Sequence, residues 1–131
     1  MNKELIMKLI ERAKENADNA YCPFTKQAVG CCLLADENVL FGGCNIESNE
    51  LAFSAGAGEV AVLKAISEGH TTFKAMCLYS ATRMPYPNGR VYQLLAERNM
   101  MVNIVLATDA TYLLHTLVEL FPFPPEGPEI E

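Results

Sequence analysis

Apolar positions in the first third of the chain follow first a helical and then a strand pattern. The earliest of them are spaced as one face of a helix: Leu5, Ile6, Leu9, Ile10 and Ala13. They predict a helix over residues 2–18, with Asn2 as its N-cap. Residues 28–35 are nearly all apolar, as in a strand covered on both faces, and residues 39–46 follow a polar turn. These two stretches predict a hairpin.

The rest of the chain alternates between helical and strand patterns. A helix is predicted to run to about Glu68, with Ser54 as its N-cap and Gly69 as the residue that ends it. Three segments follow in the order strand, helix, strand: residues 74–80, 89–99 and 102–107. Residues 111–120 fit either a helix or a strand by their pattern alone. A hairpin followed by such alternation predicts the α/β class, with a mixed sheet and helices on its faces.

Length and charge narrow the function classes. The chain has 131 residues, so we expect one domain over residues 1–131. It carries 10 Lys and Arg against 16 Asp and Glu, a net charge of −6. Because nucleic-acid binding rests on a basic surface, this balance argues against DNA or RNA as the main partner. Small molecules and proteins remain as expected partners.

Hydropathy and cysteine content indicate the cellular compartment in which the protein is expected. No apolar run reaches the ~18 residues of a membrane span and no secretion signal is visible, so we expect no membrane association. The five cysteines are an odd number, and we interpret them as reduced thiols of a cytoplasmic protein. Half of the residues are hydrophobic, which favours a surface covered by other subunits.

Five short blocks, taken in order, resemble the small cytidine deaminases. Three lie in the first half: Ala-Tyr-Cys-Pro-Phe-Thr-Lys at 20–26, Val-Gly at 29–30 and Gly-Cys-Asn-Ile-Glu at 43–47. Two lie further along: Ala-Val-Leu-Lys-Ala-Ile-Ser-Glu-Gly at 61–69 and Glu-Leu-Phe-Pro-Phe at 119–123. Their order and spacing match that family over almost the whole chain.

This resemblance implies a fold and an assembly. The fold is a cytidine-deaminase-like three-layer α-β-α arrangement with a five-stranded mixed sheet. The resemblance favours a strand over residues 112–114 and a short helix from about Thr116, which settles the ambiguous segment. It also implies a homo-oligomer, a tetramer or a dimer.

The same resemblance implies zinc chemistry. Members of the family hold zinc through a Cys-Ala-Glu or His-Ala-Glu motif at the start of the second helix and a Pro-Cys-x-x-Cys motif at the start of the third. Zinc lowers the pKa of a bound water to about 7, and the glutamate, which is not a ligand, moves the proton. Such a site needs three protein ligands and one open coordination position.

In this chain the first motif is replaced. The block at 61–69 fixes its register without a gap and aligns Gly56-Ala57-Gly58 with Cys-Ala-Glu. The first ligand position then holds Gly56, and the catalytic glutamate position holds Gly58. A one-residue deletion would instead put Glu59 at the glutamate position, but it would leave an alanine as the first ligand.

The second motif is replaced as well. It aligns with residues 87–91, Pro-Asn-Gly-Arg-Val, so that Asn88 and Val91 take the positions of its two cysteines. Valine has no donor atom, and asparagine offers one neutral oxygen. The remaining thiols and imidazoles are scattered: Cys22, Cys31, Cys32, Cys44, Cys77, His70 and His115. We interpret the cysteines as buried thiols, His70 as a surface residue and His115 as a loop residue. The sequence therefore predicts no metal ligands, no zinc cofactor and no catalytic residues.

Other positions of the family's substrate site are retained in part. Asn45 and Glu47 match the family's Asn-x-Glu, which the resemblance implies would hold ribose hydroxyls. Residues two apart in an extended chain share a face, so this amide and carboxylate could together bind a diol. Alternatively, Asn45 ends its strand by turn hydrogen bonds and Glu47 is solvated. Gln27 takes the position of the family's base-stacking phenylalanine and cannot stack in the same way.

The starts of the two pocket helices hold further candidates. Glu59 and Arg90 stand where the family has an arginine and a small residue, and we hypothesise that they form an ion pair across the former zinc position. The two helix starts, Gly56–Gly58 and Asn88–Arg90, would carry free N–H groups that attract an anion. Asn88 also suits the N-cap of its helix, a role that does not exclude anion binding.

Three functions remain open. The favoured one is a catalytically degenerate cytidine deaminase-like protein without zinc, which binds a nucleoside-like or anionic small molecule in the vestigial pocket. The second is a structural or regulatory subunit of a deaminase-like oligomer, and the third is an active hydrolytic deaminase. The predicted substrate-binding residues are Gln27, Asn45, Glu47, Gly56, Ala57, Glu59, Asn88 and Arg90.

Overall fold

The computed structural model describes residues 1–127. Residues 128–131, the end of the predicted domain, lie outside this range. The helices are α1 (Lys3–Ala17), α2 (Ala57–Ser67), α3 (Gly89–Ala96) and α4 (Leu117–Leu120), and a 3₁₀ turn covers Leu51–Phe53. The strands are β1 (Val29–Ala35), β2 (Leu40–Cys44), β3 (Phe73–Ser80), β4 (Asn103–Ala107) and β5 (Tyr112–Thr116).

These strands form one mixed sheet in the order β2-β1-β3-β4-β5. The pair β3–β4 is parallel, and the other three pairs are antiparallel. The predicted α/β class and five-stranded mixed sheet are therefore confirmed. The short β5 followed at once by α4 matches the resemblance-based prediction for the segment that the pattern alone left ambiguous.

Helices cover both faces of this sheet and divide the core into two layers. One layer lies under α1, and the other lies under α2, α3 and α4. Cys31 is buried in the layer under α2, whereas Cys32 is buried under α1, so neighbouring strand residues point to opposite faces as predicted. Burying each large apolar side chain in these layers stabilises the fold by about 1.5–3 kcal/mol before entropy is counted.

The first helix begins and packs as its sequence predicts. The Asn2 side chain accepts a hydrogen bond from the backbone N–H of Leu5 at 2.8 Å. The buried residues of α1 lie on one face of the helix: Ile6, Leu9, Ala13 and Ala17. Within residues 1–127, the helices are too short or too polar to cross a lipid bilayer.

Two local predictions are wrong. Ser54 does not cap α2, because its hydroxyl instead accepts a hydrogen bond from the N–H of Ser48 at 2.8 Å, and Gly56 is the N-cap. His115 is not in a loop but in β5, where its Nδ1 lies 2.9 Å from the Glu119 carboxylate on α4. In both places a contact made by folding outweighs the local signal.

Candidate functional site

A cavity of about 430 Å³ lies where the first turns of α2 and α3 meet the ends of β1 and β3. This volume is in the range of small-molecule sites. Five of the predicted binding residues line it: Gln27, Asn45, Gly56, Ala57 and Asn88. Glu47 lines a separate depression beside Tyr21 and Phe24. The other two predicted residues, Glu59 and Arg90, lie beside the lining rather than in it.

Glu59 ties the two pocket helices together. It sits in the first turn of α2 with only 7% of its surface exposed. One of its carboxylate oxygens accepts hydrogen bonds from the Gly56 N–H at 3.2 Å and from the Asn88 side-chain amide at 2.9 Å. Asn88 in turn accepts a hydrogen bond from the Val91 N–H at 3.0 Å, which confirms its predicted role as the N-cap of α3.

The hypothesised ion pair between Glu59 and Arg90 is confirmed. The guanidinium lies 3.6 Å from the second carboxylate oxygen of Glu59. The Arg90 side chain is 62% exposed, however, so water screens the attraction. The hydrogen bond from Asn88 to the buried Glu59 carboxylate, rather than the screened ion pair, is therefore the stronger link between the helices.

The difference in strength between the hydrogen bonds of Glu59 and its ion pair with Arg90 predicts how two variants differ in stability. Glu59→Ala should lower the free energy of unfolding by about 1–2 kcal/mol, because the Gly56 N–H and the Asn88 amide lose their acceptor. Arg90→Ala should cost less than about 1 kcal/mol. Urea unfolding of both variants, with Glu59→Gln as the control that keeps an acceptor oxygen, checks the difference. Equal losses for Glu59→Ala and Arg90→Ala would contradict it.

Apolar atoms fill the space in front of Gly58. A Cβ atom at this position would lie 3.1 and 3.2 Å from the two methyl carbons of Val91 and 3.3 Å from the sulfur of Met76. Val91 is itself 2% exposed. A side chain at position 58 would therefore have to push the Val91 side chain and the Met76 sulfur aside.

Asn45 uses its amide to fix the start of β1. Its carbonyl oxygen accepts a hydrogen bond from the Val29 N–H at 2.9 Å, and its NH₂ group donates to the Gln27 carbonyl at 2.8 Å. The amide therefore shapes the cavity wall, which fits the strand-ending alternative considered for this residue. Its role in binding a ligand stays a prediction.

Glu47 is held by the loop before β1. Its carboxylate accepts hydrogen bonds from the Thr25 hydroxyl at 2.5 Å and from the N–H groups of Phe24 and Thr25 at 2.9 and 3.1 Å. These contacts, the Thr25 hydroxyl first, hold the pKa of Glu47 below its ordinary value. The structure thus does not bring Glu47 and Asn45 together around one cavity, and joint binding of a diol by the two stays a prediction.

The lowered pKa of Glu47 predicts a pH-dependent effect on stability. The ionised carboxylate stabilises the fold fully above its unfolded-state pKa of about 4.3, and this contribution is lost as pH falls through the lower folded-state pKa. Glu47→Gln should therefore lower the melting temperature at pH 7, and the difference from wild type should shrink below about pH 4. Thermal unfolding between pH 7 and 3 measures this, with Thr25→Val as a second variant that removes the main cause. A difference that is constant over this range would contradict it.

Sequence reasoning missed the segment between β3 and α3 as a part of the site. The pattern predicts no helix or strand between residues 80 and 89, yet Arg83, Met84 and Tyr86 in this segment line the cavity with the two prolines at 85 and 87. The signal was present in the sequence, because a proline-rich stretch directly before a pocket helix has a restricted backbone. Nothing in the local pattern indicates which way its side chains point.

The thiols and imidazoles do not assemble into a metal site. Within residues 1–127, no three His, Cys, Asp or Glu side chains are grouped so that they could hold an ion. Cys31, Cys32 and Cys77 are buried, and burial raises the pKa of Cys32 to about 11, so these groups are protonated thiols at neutral pH. His70 is half-buried against Phe41 and lies 3.2 Å from the carboxylate of Glu37, so its interpretation as a plain surface residue is incomplete.

Comparisons with known proteins agree on one family. A family model described as the cytidine and deoxycytidylate deaminase zinc-binding region matches residues 3–118. A cytidine deaminase of Sporosarcina psychrophila is 37% identical over 93 residues, which cover 70% of this chain and 68% of that protein. A cytidine deaminase of Halalkalibacterium halodurans is 32% identical over 90 residues, 68% of each chain.

A solved structure shows the same fold. The crystal structure of a cytidine deaminase from Burkholderia pseudomallei superposes with a TM-score of 0.83 and covers 95% of this chain and 99% of that one. The two sequences are 24% identical, so this likeness speaks for the fold alone. It supports the three-layer arrangement described above.

The zinc ion named by the matching family model does not fit the side chains between α2 and α3. Gly56 and Gly58 have no side-chain donors, and Val91 presents methyl groups. The Asn88 amide is engaged on both sides, with the Val91 N–H and with Glu59. A tetrahedral zinc site draws on thiolate, imidazole or carboxylate ligands. These positions supply none, and the one carboxylate beside them, Glu59, already accepts hydrogen bonds from Gly56 and Asn88 and cannot alone replace three ligands.

Proposed function

Since this chain belongs to the cytidine and deoxycytidylate deaminase family, we propose that it is a catalytically degenerate member. It works without zinc and does not carry out hydrolytic deamination. Its function is to bind a nucleoside-like or anionic small molecule in the cavity between α2 and α3. Here "catalytically degenerate" means that no residue takes the place of the metal or of the family's glutamate.

One observation carries this proposal. The methyl groups of Val91 lie against Gly58, at the two positions that align with a zinc ligand and with the catalytic glutamate. Deamination at a pyrimidine C4 needs an activated water, which in this family comes from zinc. A packed valine beside a glycine can neither generate that nucleophile nor move its proton.

The remaining cavity still suits a polar ligand. Amide groups of Gln27, Asn45 and Asn88 line it, and apolar contacts come from Val29 and Leu78. Amides both donate and accept hydrogen bonds, so they can pair with the edge of a heterocycle or with hydroxyl groups. In this proposal the second N–H of the Asn88 amide donates to the ligand, and Glu59 keeps Asn88 in place by accepting the first.

A second candidate is a structural subunit of a homo-oligomer in the cytoplasm. It is favoured by a set of exposed apolar side chains around the bridge between Ile46 and Ala55: Tyr21, Ile46, Leu51 and Phe53. Apolar surface of this kind marks contacts with other chains. This candidate is compatible with ligand binding, since both can hold for one protein.

Four measurements on the purified chain separate the candidates. Zinc analysis and a cytidine-to-uridine assay should give no stoichiometric metal and no turnover, whereas nucleosides or anions should raise the melting temperature by mass action. Bound zinc together with uridine formation would instead identify an active deaminase. If no ligand shifts the melting temperature and the hydrodynamic mass exceeds that of one chain, the structural candidate replaces the first.

A further inference from the structure

The cavity lining carries one kind of charge. Among the described residues that line it, Arg83 is charged, and none is Asp or Glu. Arg83 is exposed, and within residues 1–127 it forms no ion pair or side-chain hydrogen bond. Its guanidinium donors therefore remain available to a ligand in this cavity.

The positive charge of Arg83 is opposite in sign to the net charge of the chain. With a net charge of −6, the protein as a whole repels anions. A guanidinium at a cleft acts locally, because its fork of N–H donors matches carboxylate and phosphate groups and pairs with them in two parallel hydrogen bonds. An acidic group on the ligand would thus find at Arg83 the electrostatic attraction and paired hydrogen bonds that the rest of the negatively charged surface does not offer.

Tyr86 adds an aromatic surface to the same rim. It is three residues from Arg83, also lines the cavity and is 58% exposed. The buried prolines at 85 and 87 flank it, and their fixed φ angles limit the backbone freedom that ligand binding would otherwise remove. A planar ring can stack on such an exposed aromatic side chain.

The starts of the helices are not available to an acidic group in the same way. The Gly56 N–H at the start of α2 donates to the Glu59 carboxylate, and the Val91 N–H of α3 donates to Asn88. The negative charge of Glu59 beside them opposes a second anion. The acidic end of a ligand therefore belongs at the outer rim, and its neutral polar edge belongs against the amides of the inner wall.

We propose that the cavity binds a planar heteroaromatic compound that carries an acidic group, with its phosphate or carboxylate on Arg83 and its ring on Tyr86. This inference rests on the proposed function and narrows the class of its ligand. Phosphate and carboxylate share the chemistry that Arg83 recognises, so the experiment below separates them.

Isothermal titration of the full chain tests the proposal with four compounds: cytidine, cytidine 5′-monophosphate, orotate and inorganic phosphate. Either the phosphate or the carboxylate compound should bind at least about tenfold more tightly than cytidine, which corresponds to about 1.4 kcal/mol. Arg83→Gln should abolish that difference. Arg12→Gln, which removes an exposed charge on α1 away from this cavity, should keep it. The compound with the larger gain identifies the acidic group.

Each other result overturns the inference. If cytidine binds as tightly as the acidic compounds, or if Arg83→Gln leaves the difference intact, the acidic class is wrong although the proposed function stands. If inorganic phosphate alone binds as tightly as the nucleotide, the stacking on Tyr86 is wrong. If no compound binds to the zinc-free chain, the inference and the ligand-binding function fail together.

Discussion

The triple variant G56C/N88C/V91C is expected to retain one zinc ion per chain, whereas wild type is expected to retain none. Position 56 adjoins Asn88 across the starts of α2 and α3, and Val91 adjoins Gly58 two residues further along α2. A Cβ at position 56 would lie 3.3 Å from the Asn88 amide nitrogen, and one at position 58 would lie 3.1 Å from Val91. The positions that align with the family's ligands therefore lie at one place between the two helices, and we expect thiolates there to supply the zinc ligands that the present side chains do not. Three thiolates leave a fourth position open, as catalytic zinc sites require.

The expected effect is large. Thiolate-rich zinc sites in small folded peptides contribute about 10 kcal/mol or more of binding free energy, so even a strained site should hold zinc through dialysis. The loss of the Asn88 cap costs about 1 kcal/mol, which this binding outweighs. Elemental analysis after dialysis gives the zinc content of each variant.

A matched control separates metal binding from changes in packing. G56S/N88S/V91S introduces side chains of similar size with poor affinity for zinc, and it should remain metal-free. Stoichiometric zinc in the wild-type chain would refute the proposed loss of the cofactor. A folded triple cysteine variant that binds no zinc would show that the family alignment puts the ligand positions in the wrong place.

The fold was predictable because its signals are local or follow from the order of elements. The apolar face of α1 and the continuous apolar run of β1 are visible in the sequence, and strand–helix alternation implies a mixed sheet. The segment after residue 110 needed the family resemblance. Its apolar residues fit both the helical and the strand period, and the segment becomes a strand because it pairs with β4.

The errors at Ser54 and His115 share a physical cause. A serine before a helical pattern is a good cap, but here its hydroxyl closes the preceding loop through Ser48. A capping box consists of two reciprocal hydrogen bonds between the N-cap residue and the residue three positions later. In α2 only one of them forms: the Glu59 carboxylate accepts from the Gly56 N–H, whereas Gly56 has no side-chain oxygen to accept the other. Local propensity cannot anticipate which of several nearby polar groups the folded chain selects.

Side-chain contacts were predictable at the starts of the two pocket helices, and not at the rim of the cavity. The pairing of Glu59 with Arg90 followed from two changes at neighbouring family positions, and the structure places these side chains 3.6 Å apart. The separation of Asn45 from Glu47 could not be predicted, because the carboxylate turns toward Thr25, more than twenty residues earlier in the chain. Arg83 was missed for a similar reason, since no periodicity fixes the direction of a loop side chain.

Gly30→Ala is expected to destabilise the protein more than any other substitution considered above. Gly30 lies in β1 beneath α1, where an added Cβ would stand 1.8 Å from the Ala13 carbonyl oxygen and 2.6 Å from the Ala17 nitrogen. Both neighbours are helix backbone, so no side-chain rotation can relieve the overlap. The helix must lift away from the sheet, which opens gaps around Leu9 and its neighbours in the α1 core layer.

We expect a loss of about 3 kcal/mol or more in the free energy of unfolding, the upper end of what overpacking costs. For a chain of this size that corresponds to a fall of roughly 10 °C in melting temperature. Gly89→Ala is the matched control, because a Cβ at the start of α3 meets nothing within 4 Å and should cost little. Urea and thermal unfolding of both variants measure the contrast. A loss below about 1 kcal/mol at Gly30 would mean that α1 does not lie as close to β1 as the structure places it, since a backbone overlap of this depth cannot be absorbed in place.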